Sequence, residues 1–260
     1  MKVKGILFGG VFAVTLVVAS LAILPVNDAH APLLPVEHFE TYLVTAEITS
    51  GAGVTLEDQF GISEHIVNRL EQFAIPVQKN DEPLDNTTSH LSFWTITDPT
   101  FIAREVVVDN QFGEQSLKVF DGIYLAAPAL KNDEGRTELP TDLSHFKCYK
   151  VQGVAPGNKV TITGQFGTHT TTVLQPGLLC VPAKKTTDKG VVYPVVNPME
   201  HLLCYKIEVV GTGQTVLIRD QFSTSQTPLS FMDLLCVPSM KNPPVPTEQS
   251  SWGKMKSIYR

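Results

Sequence analysis

The chain has 260 residues, with 20 Lys+Arg against 26 Asp+Glu, 7 His and a formal net charge of −6. An acidic chain of this balance lacks the basic footprint that nucleic acid requires, which argues against nucleic acid, and none is expected as a partner. The length allows one or two ordinary domains, and the 4 cysteines are few enough to be read one by one.

The first element is the stretch 1–31. Lys2 and Lys4 form a basic head, Gly5 to Leu24 carries no charge, and Ala29-His30-Ala31 supplies a small-x-small end. This reads as a signal peptide or, given an apolar run of about twenty residues, as a retained N-terminal anchor. Either way, residues 32–260 are expected outside the cytoplasm, extracellular or at the cell surface. A membrane enters only through that anchor.

Four related segments follow, at 38–80, 90–132, 145–185 and 201–241. Shifted by 56 residues, 145–185 aligns with 201–241 without a gap and 18 of 41 positions are identical. The shared letters fall in three blocks, HxxCYK, QF and LLCVP. Weaker forms of the same blocks start at His38, Asp58 and Ala74, and at His90, Asn110 and Ala126. The opening histidines are therefore His38, His90, His145 and His201. The second block holds Gln59, Gln111, Gln165 and Gln221, each followed by Phe60, Phe112, Phe166 or Phe222. From each glutamine to the third block is 15 residues in all four copies. A register kept that strictly marks one module written four times.

Within a copy, short β-branched and aromatic runs are broken by Gly, Pro, Asn or Asp. In copy three, HFKCYKV, KVTITGQF, THTTTVL and GLLCVPAKK read as four strands. Only SEHIVNRLEQF looks helical, through Ile66, Leu70 and Phe73. The other copies place a strand there, so it is read as strand or a short local helix. The expected fold is all-β: four tandem four-stranded modules of about 40 residues, packed in series or in pairs as small sandwiches. A four-bladed propeller-like ring is the alternative. Polar joins separate the copies, and 242–260 reads as a flexible tail.

Cys148, Cys180, Cys204 and Cys236 admit three pairings. Copies three and four fill both cysteine positions. Copies one and two leave both empty, with Thr41 and Ala74, then Phe93 and Ala126. Positions present or absent together within a copy imply a bond within the copy, Cys148–Cys180 and Cys204–Cys236. A loop of about 32 residues closed this way contributes roughly 3.5–4 kcal/mol in the chain-entropy model. An oxidising compartment suits it.

The repeated histidines could serve as metal ligands if the modules ringed an axis, yet no acid accompanies them at fixed spacing. A structural role is preferred, and no metal is expected. The Gln-Phe pairs read as a core phenylalanine beside an amide that bonds a turn. Asp58, Asp109 and Asp220 lie near those pairs, but copy three has Gly164 there, so they read as turn residues. Tyr42, Trp94, Tyr149 and Tyr205 could face a ligand as sugar-stacking surfaces; packing is the plainer reading. G-x-S-x-G, H-E-x-x-H and phosphate-loop motifs do not occur, and neither an enzyme nor a cofactor is expected.

HFKCYKV, the QFG block and LLCVP resemble the tandem modules of an uncharacterised family of secreted bacterial and archaeal proteins. In that family His-Phe-Lys-Cys-Tyr, Asp-Gln-Phe-Gly and Leu-Cys-x-Pro recur. The resemblance covers 145–185 and 201–241 well. It reaches the first two copies only through the histidine, aromatic, Gln-Phe and proline positions. It implies a β-rich extracellular module and no particular activity. The expected function is that of an exported, non-enzymatic cell-envelope structural, adhesion or binding component, with an envelope glycan or protein as partner. The alternatives are an extracellular metal-binding protein using the repeated histidines and a hydrolase on a β scaffold.

Overall fold

The computed structural model describes residues 36–97, 103–208 and 211–242. The stretch 1–31 read as a signal or anchor lies outside them, as does 243–260 of the tail. Copy one forms β1 (His38–Val44), β2 (Gly53–Asp58) and β3 (Gly61–Lys79). Copy two forms β4 (His90–Ile96), β5 (Arg104–Asn110) and β6 (Gly113–Lys131). Copy three forms β7 (His145–Gln152), β8 (Lys159–Gly164) and β9 (Gly167–Thr187), and its join to copy four adds β10 (Val192–Tyr193). Copy four forms β11 (His201–Ile207), β12 (Thr215–Arg219) and β13 (Thr224–Asn242).

The protein is all-β, as expected, but a copy carries three main strands rather than four. The expected third and fourth strands are halves of one long strand. Where a turn would have separated them, the pairing slips instead. The slips centre on Leu70, Gly122, Pro176 and Met232, equivalent positions that face Trp94, Tyr149, Tyr205 and Tyr42. Such bulges bend a strand without ending it. Proline is tolerated there because a bulge leaves a backbone N–H outside the ladder.

The two halves of each long strand do different jobs. The first half pairs with the preceding short strand as a hairpin: β2–β3, β5–β6, β8–β9 and β12–β13. A positive φ at Gly61, Gly113 and Gly167 lets the chain reverse just after each phenylalanine. The second half pairs with the first strand of its own copy and with the first strand of the next. The chain of pairs β1–β3–β4–β6–β7–β9–β11–β13 is antiparallel throughout and closes through β1–β13. The result is an eight-stranded barrel without an open edge.

The copies therefore do not pack as separate small sandwiches or as blades. A unit of forty residues cannot enclose a core, so each first strand is shared between two copies. The hairpins extend the sharing further. β2 pairs with the end of β9 and β8 with the end of β3; β12 pairs with the end of β6 and β5 with the end of β13. Copies one and three, and copies two and four, thus exchange hairpins.

Two apolar cores follow. One holds Phe39, Ala74, Phe93, Ala126, Phe146, Leu178, Leu202, Leu234 and all four cysteines. Every member except Val36 and Leu143 lies on the eight closed strands, so this is the barrel interior. The other joins the outward faces of those strands to Val54, Leu56, Val106, Val108, Val160, Ile162, Val216 and Ile218 of the hairpins. The hairpins are a second layer over the barrel wall. The disulfides join Cys148 to Cys180 and Cys204 to Cys236, within copies, between facing residues of β7–β9 and β11–β13.

Candidate functional site

The repeated residues are drawn together by the hairpin exchange. Phe60 packs edge-on against Tyr149 at 5.0 Å, and Phe166 against Tyr42 at 5.3 Å. Phe222 meets Trp94 at 5.4 Å and Phe112 meets Tyr205 at 5.3 Å. Each tip phenylalanine thus meets the first-strand aromatic of the opposite copy. Tyr42, Trp94, Tyr149 and Tyr205 are 0–1% exposed. They lie under the hairpins and present no stacking face to solvent, which corrects the ligand-facing reading.

The polar ends of those rings are met by the residue before each glutamine. Tyr149 Oη donates to Asp58 at 2.6 Å, and Trp94 Nε1 donates to Asp220 at 2.8 Å. Asn110 Nδ2 donates to Tyr205 Oη at 3.0 Å. Asp58 and Asp220 also accept the backbone N–H of Phe60 and Phe222, so they are turn residues with a second role. Asp109, the remaining acid of that set, precedes the equivalent residue, Asn110.

Copy three has Gly164 here, and the loss is made good elsewhere. Tyr42 Oη donates to the buried Glu40, which His169 meets as an ion pair at 3.1 Å. The positions equivalent to Glu40 and His169 on the other side of the exchange are Lys147 and Ser63, joined by a 2.7 Å hydrogen bond. Asp58→Gly alone should cost about 2 kcal/mol, because it strands the buried Tyr149 hydroxyl. Adding Lys147→Glu and Ser63→His transplants the copy-one solution and should recover most of the loss. Urea titrations of the single and triple variants check this; an unrecovered triple variant would show that the two solutions are not interchangeable.

The histidines split into two pairs. Gln59 Nε2 donates to His201 Nε2 at 3.0 Å and Gln221 Nε2 to His145 Nε2 at 2.5 Å. Such bonds need a bare ring nitrogen. Burial keeps both rings neutral, pushing His145 down to about 3 and His201 to about 4. His38 and His90 instead meet Glu82 at 2.6 Å and Glu134 at 3.1 Å, each 44 residues on, which corrects the reading that no acid accompanies the histidines at fixed spacing. Gln165 bonds the Thr87 carbonyl. The four histidines thus have four separate neighbours, and no three metal-ligating side chains converge among the described residues.

One repeated position escaped the sequence reading. Lys79, Lys131, Lys185 and Lys241 each lie 20 residues after a glutamine, in Pro-x-x-Lys. They reach over Phe112, Phe166, Phe222 and Phe60 of the next hairpin at 5.8, 5.9, 5.0 and 4.8 Å. Lys79 and Lys131 also pair with Glu82 and Glu134. The invariant spacing was the signal that could have revealed them.

These contacts account for the residues the copies share. Where the copies differ, the barrel has a cavity of about 540 Å³ at the end where the first strands leave. Gln72, Tyr124, Leu178 and Leu234 occupy one equivalent inward position in the four long strands, and all line it. Gln72 Nε2 donates to Asp233 at 3.0 Å, while Gln72 Oε1 is buried and accepts no hydrogen bond from the described residues. Burial pushes the Asp233 carboxyl up. Lys150 and Lys206 stand exposed at the rim, and Phe120, Ile123 and Pro176 supply apolar wall. A smaller cavity of about 390 Å³ borders His65, whose ring nitrogens bond the Thr97 carbonyl and Ser63.

Comparison with known proteins places these observations. The model of a family described as a repeat of unknown function (DUF7450) matches residues 88–238, which hold nearly all of copies two to four. No curated protein and no solved structure matches. That span is more than half of the chain, and the chain belongs to this family of repeats of unknown function.

Proposed function

We propose that the protein is an exported, non-enzymatic binding component of the cell envelope or cell surface, and that an envelope glycan or protein engages it at the barrel mouth. The observation that carries the reading is Gln72. Its three counterparts are Tyr124, Leu178 and Leu234, so the mouth departs from fourfold equivalence by placing an amide where two copies place leucine. A buried acceptor without a partner costs stability, and a ligand at the mouth gives that cost a purpose. The cavity volume falls within the about 300–1,000 Å³ of ordinary ligand sites.

The disulfides support an oxidising compartment. Export itself rests on the stretch 1–31. The test is an NMR screen of the folded protein against glycan and envelope-protein fragments. Shifts centred on Gln72, Tyr124, Leu178 and Leu234 support the reading. Fragments that shift only the outer hairpins, or no residue at all, overturn it.

A further inference from the structure

We infer, resting on the mouth as the binding site, that its ligand is an uncharged sugar ring held through neighbouring hydroxyls. Gln72 is 3% exposed, and one end of its amide is fixed on Asp233. The other end, Oε1, is a buried acceptor on a side chain that lines the cavity. A ligand that turns the Gln72 amide slightly toward the cavity meets two adjacent acceptors, Gln72 Oε1 and the Asp233 carboxylate. A partner must therefore bring donors.

The chemistry of the rim narrows the class. A carboxylate or phosphate ligand has acceptors only; it would leave Gln72 unanswered and confront Asp233. An ammonium ligand has donors, yet it would enter between Lys150 and Lys206. A wholly apolar ligand would seal Gln72 Oε1 away from any partner. Hydroxyl groups resolve the conflict, because each donates and accepts at once. Two on adjacent carbons can donate to Gln72 and Asp233 and still accept from the rim lysines. The C–H faces of a sugar ring then lie against Tyr124, Leu178 and Leu234.

The test is a titration of the full folded protein, followed by amide NMR shifts, with three ring-shaped probes: a neutral methyl hexoside, cyclohexylamine and cyclohexanecarboxylate. The expected result is that the hexoside alone shifts the mouth residues. Its affinity should fall at least tenfold in Gln72→Leu and be unchanged in Glu57→Ala, which alters an outer hairpin. Gln72→Leu installs the residue already present at Leu178 and Leu234, so the variant is expected to fold; its amide spectrum verifies this before titration. A hexoside that binds Gln72→Leu as tightly as the parent overturns the inference. Amine or carboxylate binding at the mouth in place of the hexoside overturns the sugar class but leaves the mouth as the site. Failure of all three probes there overturns the sugar class, and the broader fragment screen then decides the site separately. With the hexoside bound, oligosaccharides ending in the same ring separate the sources: tighter binding assigns a glycan terminus, equal binding a free sugar.

Discussion

Replacing Cys148 by threonine and Cys180 by alanine should cost the folded protein about 3–4 kcal/mol in a denaturant titration. That substitution copies Thr41 and Ala74, which face each other across β1 and β3 just as Cys148 faces Cys180 across β7 and β9. The new side chains therefore suit the backbone geometry, and the loss reports the staple. The bond spans 32 residues of sequence, and the chain-entropy model assigns such a loop about 3.7 kcal/mol. Ordinary domains hold a net stability of about 5–15 kcal/mol, so removing both staples should leave the barrel near its unfolding threshold. The cysteines are 0% exposed inside the barrel. Mild reductant should release no thiol from the folded protein until denaturant opens it. A cost below about 1 kcal/mol would mean that ring closure through β1 and β13 already supplies the restraint, making the bonds redundant.

Repetition made much of this architecture legible. The four-copy register, the all-β class and the within-copy cysteine pairs all follow from comparing equivalent letters. Ring closure was not visible, because nothing local in β1 says that its second neighbour is β13, nearly two hundred residues away. The exchange between opposite copies was hidden for the same reason. The helix-like spacing in β3 has a precise cause in the bulges around Leu70. Of the residues read at that spacing, Leu70 and Phe73 are buried but Ile66 is exposed; two slips of register carry the buried face from its neighbour Val67 to Leu70 and then to Phe73 in steps of three, before Ile75 and Val77 restore the strand period. A doubly bulged strand thus imitates helical periodicity. At the mouth, the clue was present but unread: Gln72 lies two residues before the third block, where copies two to four write Tyr124, Leu178 and Leu234. Only the knowledge that this position points into a closed barrel turns a polar letter into a candidate site.

The second large effect concerns Lys185, and its sign follows from linkage. Its side chain is 0% exposed, and its ammonium lies 4.1 Å from the Tyr193 ring and 5.0 Å from Phe222. It donates to no acid among the described residues, unlike Lys79 and Lys131. Asp220 is the opposite charge that acts on it, and that carboxylate already accepts from Trp94, Phe222 and Ser223. Burial accordingly pushes Lys185 down to about 7 from an ordinary 10.5. Between those values the unfolded chain holds the proton that the folded chain has lost, so folding stability rises with pH across that window. At about 1.4 kcal/mol per unit, the contribution between pH 7.5 and 9.5 is on the order of 2–3 kcal/mol. Lys147 and Lys241 are also lowered by burial and slope the same way. His145 and His201 act lower: stability present above about pH 6.5 is lost as pH falls toward their folded values near 3 and 4. Glu200, raised to about 7 by burial, opposes them between its ordinary 4.5 and 7. The comparison that isolates Lys185 is therefore the parent against Lys185→Met, each titrated with urea at pH 7.5 and at pH 9.5. The variant should be more stable at pH 7.5, since the parent folds there largely by giving up the Lys185 proton that the unfolded chain keeps, and its stability should climb less steeply toward pH 9.5. Parallel climbs for the two proteins would show that the Lys185 ammonium is solvated in the folded state and that Tyr193 does not seal it.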